Sequence, residues 1–203
     1  MQQPSKQTYV HPMLGTLTNV SDDVWTGKVE IGHWGGDVWR PKVSITLIAP
    51  EDRFKRGVEM LCAIVGAGSG LGEVIRRGVW AELVGEETEG RYWWSGDLSR
   101  VNEVLDEPLT GPDDLIRVMN PTVLCVMPDF HGDEELTGCV GCHCDFEEEH
   151  GFDVLTDGQR VLGTGYSGEA RKYERFSKLT DAEIDARSDA MWAEMDRRQA
   201  QGE

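Results

Sequence analysis

The sequence predicts an α+β fold: a mainly antiparallel sheet with two central helices packed on it and a C-terminal amphipathic helix. Three observations lead to this prediction. Apolar and polar residues alternate in several short segments, which is typical of strands in a half-buried sheet. Two central segments repeat apolar residues three and four positions apart, which is typical of amphipathic helices. After residue 167 the chain is highly charged, has almost no β-branched residues and carries a narrow apolar stripe.

The predicted strands form two groups, one before and one after the central helices. The first group comprises residues 14–18, 24–31 and 42–48. The second group comprises residues 122–127, 138–146, 151–155 and 160–164. Between the last two strands lies Asp157-Gly158, a dipeptide that favours a tight hairpin turn. The pattern therefore predicts antiparallel pairing of neighbouring strands.

Two helices are predicted between the strand groups. Pro50 and the two acids after it mark the first helix start, because proline fits the first turn and carboxylates favour the positive end of the helix dipole. The glycine-rich residues 66–70 end this helix, and a second helix follows over residues 71–84. The next segments are predicted as a loop at residues 85–98, a short strand or turn at 98–105 and a short helix at 112–119.

The 203 residues suffice for one domain that buries a full core. Residues 1–12 are polar and aperiodic, and we interpret them as a flexible N-terminal arm. Residues 13–167 are predicted to form the single α+β domain, and residues 168–203 a C-terminal helical extension. Thr180 and Glu183 have the spacing of a capping box at the start of that extension.

The composition restricts the classes of partner. The chain has 37 acidic against 20 basic residues and a formal net charge of −17. Such a surface repels phosphate backbones, which argues against nucleic acid, and it attracts a basic protein. The N-terminal segment does not resemble a secretory signal, and no run of ~18 apolar residues would span a membrane. We therefore expect a cytoplasmic protein with reduced thiols, and its oligomeric state stays open.

A cysteine cluster is the most conspicuous candidate metal site. Cys139, Cys142 and Cys144 lie close in sequence to His150, and cysteines two residues apart suit tetrahedral zinc. On a regular strand, however, Cys142 and Cys144 face one side and Cys139 faces the other. That alternation favours core and surface thiols. We therefore predict no cofactor, and zinc held by these four residues is the alternative.

An acidic run beside the cluster offers a second candidate site. Glu147, Glu148 and Glu149 precede His150, and a carboxylate next to an imidazole can move protons. Charge runs of this kind are more typical of a solvated turn between strands. A hydrolase that uses Glu149 or His150 as a base is therefore the least favoured of the functions considered.

Tryptophans are the candidate contacts for a protein partner. Trp93 and Trp94 lie in the predicted aromatic loop, and Trp192 lies on the stripe of the C-terminal helix. Tryptophan is enriched among the residues that dominate binding energy at interfaces. The C-terminal helix either docks on its own sheet or contacts a partner.

The segment from Phe146 through Glu149 and His150 to Gly151 resembles a W-D-x-E-H-G-like signature of a bacterial family, domain of unknown function 6985. A hairpin at Asp157-Gly158 follows, as in that family. Phe146 stands where tryptophan is usual, and the residue after it is glutamate where aspartate is usual. The resemblance would cover residues 12–166.

The resemblance supplies no activity, and elementary geometry favours structural roles for three motif positions over a ligand site. Gly151 would take a positive φ at a strand entry, Glu149 would bond a neighbouring backbone, and His150 would pack over the hairpin. Members of the family look similar to small acidic immunity proteins that neutralise toxins by binding them. The sequence and this resemblance together favour a non-enzymatic intracellular protein-binding module.

Overall fold

The structure, a computed structural model, describes residues 7–31, 42–86, 92–128 and 136–166, together with five separate residues near the C-terminus. Those five are helical and exposed, and they are Ala186, Asp189, Ala190, Ala193 and Arg197. Within the described ranges, eight strands form one sheet. The strands are β1 (Thr8–His11), β2 (Gly15–Ser21), β3 (Val24–Glu30), β4 (Lys42–Ile48), β5 (Met119–Pro128), β6 (Leu136–Cys144), β7 (Phe152–Thr156) and β8 (Val161–Gly165).

The strands lie side by side in the order in which they occur along the chain. Every neighbouring pair is antiparallel except β4 and β5, which are parallel. Strands β1–β4 and β5–β8 are therefore two antiparallel four-stranded units joined by a parallel seam. A parallel pair needs a long crossover connection, and here residues 49–118 provide it.

All four helices described between residues 7 and 166 belong to this crossover. They are α1 (Phe54–Gly66), α2 (Gly68–Val84), α3 (Leu98–Val104) and α4 (Leu115–Val118). Helix α1 packs on β4, β5 and β6, while α2 packs on β8 and α4. No single helix in the described ranges is long and apolar enough to cross a membrane.

The core lies between the helices and one face of the sheet. Its fully buried side chains include Leu47, Leu124 and Val140 from the sheet and Leu61 and Ile75 from the helices. Glycines let the layers approach closely: a Cβ on Gly78 of α2 would lie 2.8 Å from the Val161 side chain. Helix α2 of the crossover is thereby held tightly against β8.

The other face of the sheet carries a row of aligned residues at its centre. Cys125 of β5 lies directly opposite Cys139 of β6, and Cys139 lies directly opposite Leu155 of β7. Cys125 and Cys139 are each 7% exposed. They alternate along their strands with Leu124 and Val140, which belong to the core on the helical side.

The α+β class and the mostly antiparallel sheet are confirmed, and the sheet is larger than the sequence predicted. Residues 8–11, assigned to the flexible N-terminal arm, form strand β1. Residues 98–104, predicted as a strand or turn, form α3 because Asp97 caps the helix by accepting from the Arg100 backbone N–H. The first central helix ends at Gly66 within the glycine-rich segment, as predicted, whereas α2 begins at Gly68, three residues earlier than predicted.

Candidate functional site

A buried carboxylate joins three parts of the chain at one end of the sheet. Glu147 lies in the connection between β6 and β7 and is 6% exposed. Against it lie Trp93 from the crossover, Tyr166 after β8 and His150 from the same connection. We refer to these four residues as the Glu147 cluster.

Glu147 uses both carboxylate oxygens in hydrogen bonds. Its Oε2 accepts from Trp93 Nε1 at 2.7 Å and from the Tyr166 hydroxyl at 2.9 Å. Its Oε1 lies 3.1 Å from His150 Nδ1. Because an ionised carboxylate only accepts, the imidazole must present Nδ1–H to it. The carboxylate therefore fixes the position of two aromatic side chains and the tautomer of the histidine.

Burial and hydrogen bonding act in opposite directions on the pKa of Glu147. Burial raises the pKa, while the bonds from Trp93, His150 and Tyr166 lower it and prevail, so that the pKa lies below its ordinary value of 4.5. Hydrogen bonds to the charged form stabilise that form, which is the physical reason for the lowering. Glu147 is therefore ionised at neutral pH although its side chain is buried.

We expect the contribution of Glu147 to stability to depend on pH. Its folded-state pKa lies below the ordinary value of 4.5, so the contribution is present above that pH and is lost as the pH falls through the folded-state pKa. The wild type and Glu147→Gln should differ in their free energy of unfolding, measured with urea from neutral pH down to about pH 3. This difference should become smaller on acidification. A difference independent of pH would contradict this assignment.

His150 is the exposed member of the Glu147 cluster. Its side chain is 59% exposed, and its ring centroid lies 4.9 Å from that of Tyr166. With Nδ1 engaged by Glu147, the ring nitrogen left to meet a ligand or partner is Nε2. An imidazole held in this way can donate or accept a proton, or contact a partner without first losing rotational freedom.

A layer of buried and half-buried rings supports the cluster from below. Trp94 is fully buried and its ring lies 4.7 Å from Tyr92 in a stacked arrangement and 4.9 Å from Phe152. Phe146 packs on Phe152 at 5.9 Å between ring centroids. Tyr92 in turn packs on Tyr166 at 4.8 Å between ring centroids, so the Glu147 cluster rests on these packed rings.

Trp93 is half-buried and connects the cluster to α3. The guanidinium carbon of Arg100 lies 5.6 Å from the centroid of the Trp93 ring, within the range of a cation–π interaction. Asp97, the N-cap of α3, accepts from the Ser99 hydroxyl at 2.7 Å and the Arg100 backbone N–H at 3.2 Å. These two hydrogen bonds lower the pKa of Asp97. The edge of the cluster therefore carries fixed charges of both signs.

The structure does not bring the predicted zinc ligands together. Cys142 and Cys144 belong to the core on the helical side, whereas Cys139 lies on the other face of β6 and His150 is exposed in the following turn. Burial raises the pKa of the Cys142 and Cys144 thiols, which opposes the thiolate form that binds metal. No group of three or more His, Cys, Asp or Glu side chains in the described ranges could hold a metal ion.

The motif residues divide into buried, bonded and exposed members. Phe146 is core, and Gly151 has a φ of 69° and donates its backbone N–H to the Glu147 carbonyl at 3.2 Å. The expected positive φ at Gly151 is thus confirmed. Glu149, expected to bond the backbone, is exposed, and the buried acid is Glu147. His150 packs on Tyr166 just after β8.

The tryptophans predicted as partner contacts have different surroundings. Trp94 is fully buried and serves the core, which corrects its assignment to an interface. Trp93 is half-buried at the edge of the cluster, and Trp192 lies outside the described residues. Tyr166 was not predicted as a site residue. The sequence distinguishes it only as an aromatic residue that directly follows a predicted strand.

Comparisons with protein-family models, with curated proteins and with solved structures found no match to this chain. The resemblance to domain of unknown function 6985 therefore stays a prediction drawn from its short motif.

Proposed function

We propose that this protein is a non-enzymatic, cytoplasmic binding module for a basic protein partner, of the kind represented by toxin-immunity proteins. The observation that carries the proposal is the Glu147 cluster. One buried carboxylate holds Trp93, Tyr166 and His150 in fixed positions at the surface. Side chains that are ordered before binding lose less conformational freedom on association, and aromatic residues commonly dominate binding energy.

The charge around the cluster favours a basic partner. Asp145, Glu148, Glu149 and Asp97 are exposed in the segments that carry the cluster, and the whole chain has a net charge of −17. Carboxylates around half-exposed rings suit lysine and arginine side chains, which pair with the acids and stack on the rings. Association would be fast and sensitive to salt.

The family resemblance supports the same class of function as an analogy. Under the proposal the motif at residues 146–151 builds the turn that presents His150 and buries Glu147. The C-terminal amphipathic helix with Trp192 is assigned either to the same interface or to the domain's own sheet. Steric and electrostatic occlusion of the partner is the proposed mechanism.

The proposal is tested by comparing variants in affinity purification and titration. Trp93→Ala and His150→Ala should each weaken binding of the captured basic partner about 10–100-fold, because each removes a preordered contact. Glu148→Lys should slow association, whereas Asp22→Lys, a charge-matched change in the β2–β3 turn, should not. Equal retention of every captured protein by the wild type and both alanine variants, or association independent of salt, would refute the proposal.

The contact between Glu147 and His150 gives a second candidate function. A carboxylate 3.1 Å from Nδ1 orients an imidazole as in hydrolases that use histidine as a general base. The sequence-based alternative named Glu149 or His150 as the base, and the structure favours His150 of the two. Turnover of p-nitrophenyl acetate by the wild type at the same rate as by His150→Ala would remove this candidate.

A further inference from the structure

Two thiols face each other across the centre of the sheet. Cys125 and Cys139 are directly opposed residues of the antiparallel pair β5–β6. Both lie on the face away from the core that the helices cover. The zinc alternative includes Cys139 but not Cys125, and the Glu147 cluster includes neither of the two cysteines.

The strand register suits a covalent link between these two residues. Directly opposed residues of antiparallel strands have Cβ atoms about 4.5–5.5 Å apart. A disulfide requires Cβ atoms about 3.5–4.5 Å apart, so a movement of about 1 Å suffices. The register is regular on both sides of the pair, because Leu124 opposes Val140 and Val126 opposes Gly138.

The other cysteines have no such partner. Cys142 lies opposite Pro121 and Cys144 lies opposite Met119. Cys142 and Cys144 are two residues apart on one strand and point to the same face, so their Cβ atoms lie about 6.6 Å apart, beyond the roughly 3.5–4.5 Å that a disulfide requires. Cys62 lies on α1 with its sulfur 3.6 Å from His11 Nδ1. Of the five cysteines, Cys125 and Cys139 therefore form the one opposed pair.

We propose that Cys125 and Cys139 are a redox modification site that forms a reversible disulfide with a small peroxide as oxidant. The thiolate of one cysteine attacks hydrogen peroxide, which forms a sulfenic acid and releases hydroxide. The thiol of the other cysteine then attacks the sulfenic sulfur, which forms the S–S bond and releases water. In the net reaction, each of the two sulfurs loses one electron, and the hydrogen peroxide accepts both electrons and becomes one hydroxide and one water. An exposed fraction of 7% at each cysteine favours a small oxidant over a bulky disulfide.

The test uses the full chain in its folded form. The protein is treated with hydrogen peroxide, unfolded in the presence of iodoacetamide and weighed by mass spectrometry. We expect the loss of two hydrogens, alkylation of the remaining three of the five thiols, and full reversal by dithiothreitol. Cleavage at acidic residues should release one peptide containing Cys125 linked to another containing Cys139, because acids lie between the two cysteines at residues 129 and 133–135.

Variants identify which sulfurs are linked. Cys139→Ala and Cys125→Ala should each abolish the link, and the matched control Cys142→Ala should retain it. Circular dichroism establishes which variants are folded. The test needs only one of the two variants Cys139→Ala and Cys125→Ala to be folded. A link that survives loss of Cys139 or Cys125, a link through another cysteine, or peroxide treatment that leaves the pair unlinked would overturn the proposal.

Discussion

Replacing Trp94 by alanine should lower the free energy of unfolding by about 3–5 kcal/mol. The ring is fully buried and packs against Tyr92, Phe146 and Phe152, so truncation removes contacts from several elements and leaves a cavity. Because those rings lie beneath the Glu147 cluster, the loss should also loosen the surface proposed to bind the partner. Urea unfolding followed by circular dichroism measures the change.

Trp94→Phe is the matched control for that experiment. The indole Nε1–H of Trp94 is buried and has no hydrogen-bond partner among the residues that the structure describes, so phenylalanine keeps most of the ring packing and removes an unsatisfied donor. We expect it to cost less than about 1.5 kcal/mol. If Trp94→Phe destabilised the protein as much as Trp94→Ala does, an interaction of the indole nitrogen would be responsible and the packing argument would be wrong.

Replacing Glu147 by alanine should lower the free energy of unfolding by about 2–4 kcal/mol. The variant leaves the Trp93 indole N–H and the Tyr166 hydroxyl without their acceptor in partly buried positions. It also removes the group that orients His150. Thermal and urea unfolding measure the loss, and tryptophan fluorescence reports the altered environment of Trp93.

Glu149→Ala is the matched control, because it removes the same side chain from an exposed position two residues away. We expect its effect to lie within about 0.5 kcal/mol of zero. Similar losses for the two variants would mean that the acidic run acts through its total charge. The hydrogen bonds of Glu147 would then not be the source of the effect.

The elements of the fold that depend on local pattern could be predicted from the sequence. Alternation located β4, and the Asp-Gly turn located the β7–β8 hairpin. Pairing between distant segments could not be predicted in this way, because periodicity does not say that β4 and β5 are neighbours and parallel. Helix α3 was predicted as a short strand or turn although its cap, Asp97, was visible, because the glycines and aromatic residues before it indicated a loop.

The segment that carries the candidate site could be predicted from the sequence, but its central residue, Glu147, could not. The sequence singled out the acidic run and His150, yet three consecutive glutamates cannot be ranked by composition. Burial distinguishes Glu147, and its partners Trp93 and Tyr166 lie 54 and 19 residues away along the chain. Contacts over such separations follow from the crossover and the sheet, which no local pattern specifies.

The parallel seam between β4 and β5 has a consequence for how the chain folds. Strands within β1–β4 and within β5–β8 pair only with their neighbours in sequence, so each unit can form by closing short loops. The seam requires closure over residues 49–118, which costs more chain entropy and is favoured only once the helices have packed. We therefore expect the two units to form early and the seam late. The Glu147 cluster joins the crossover to β5–β8, so it is completed with the last step of folding.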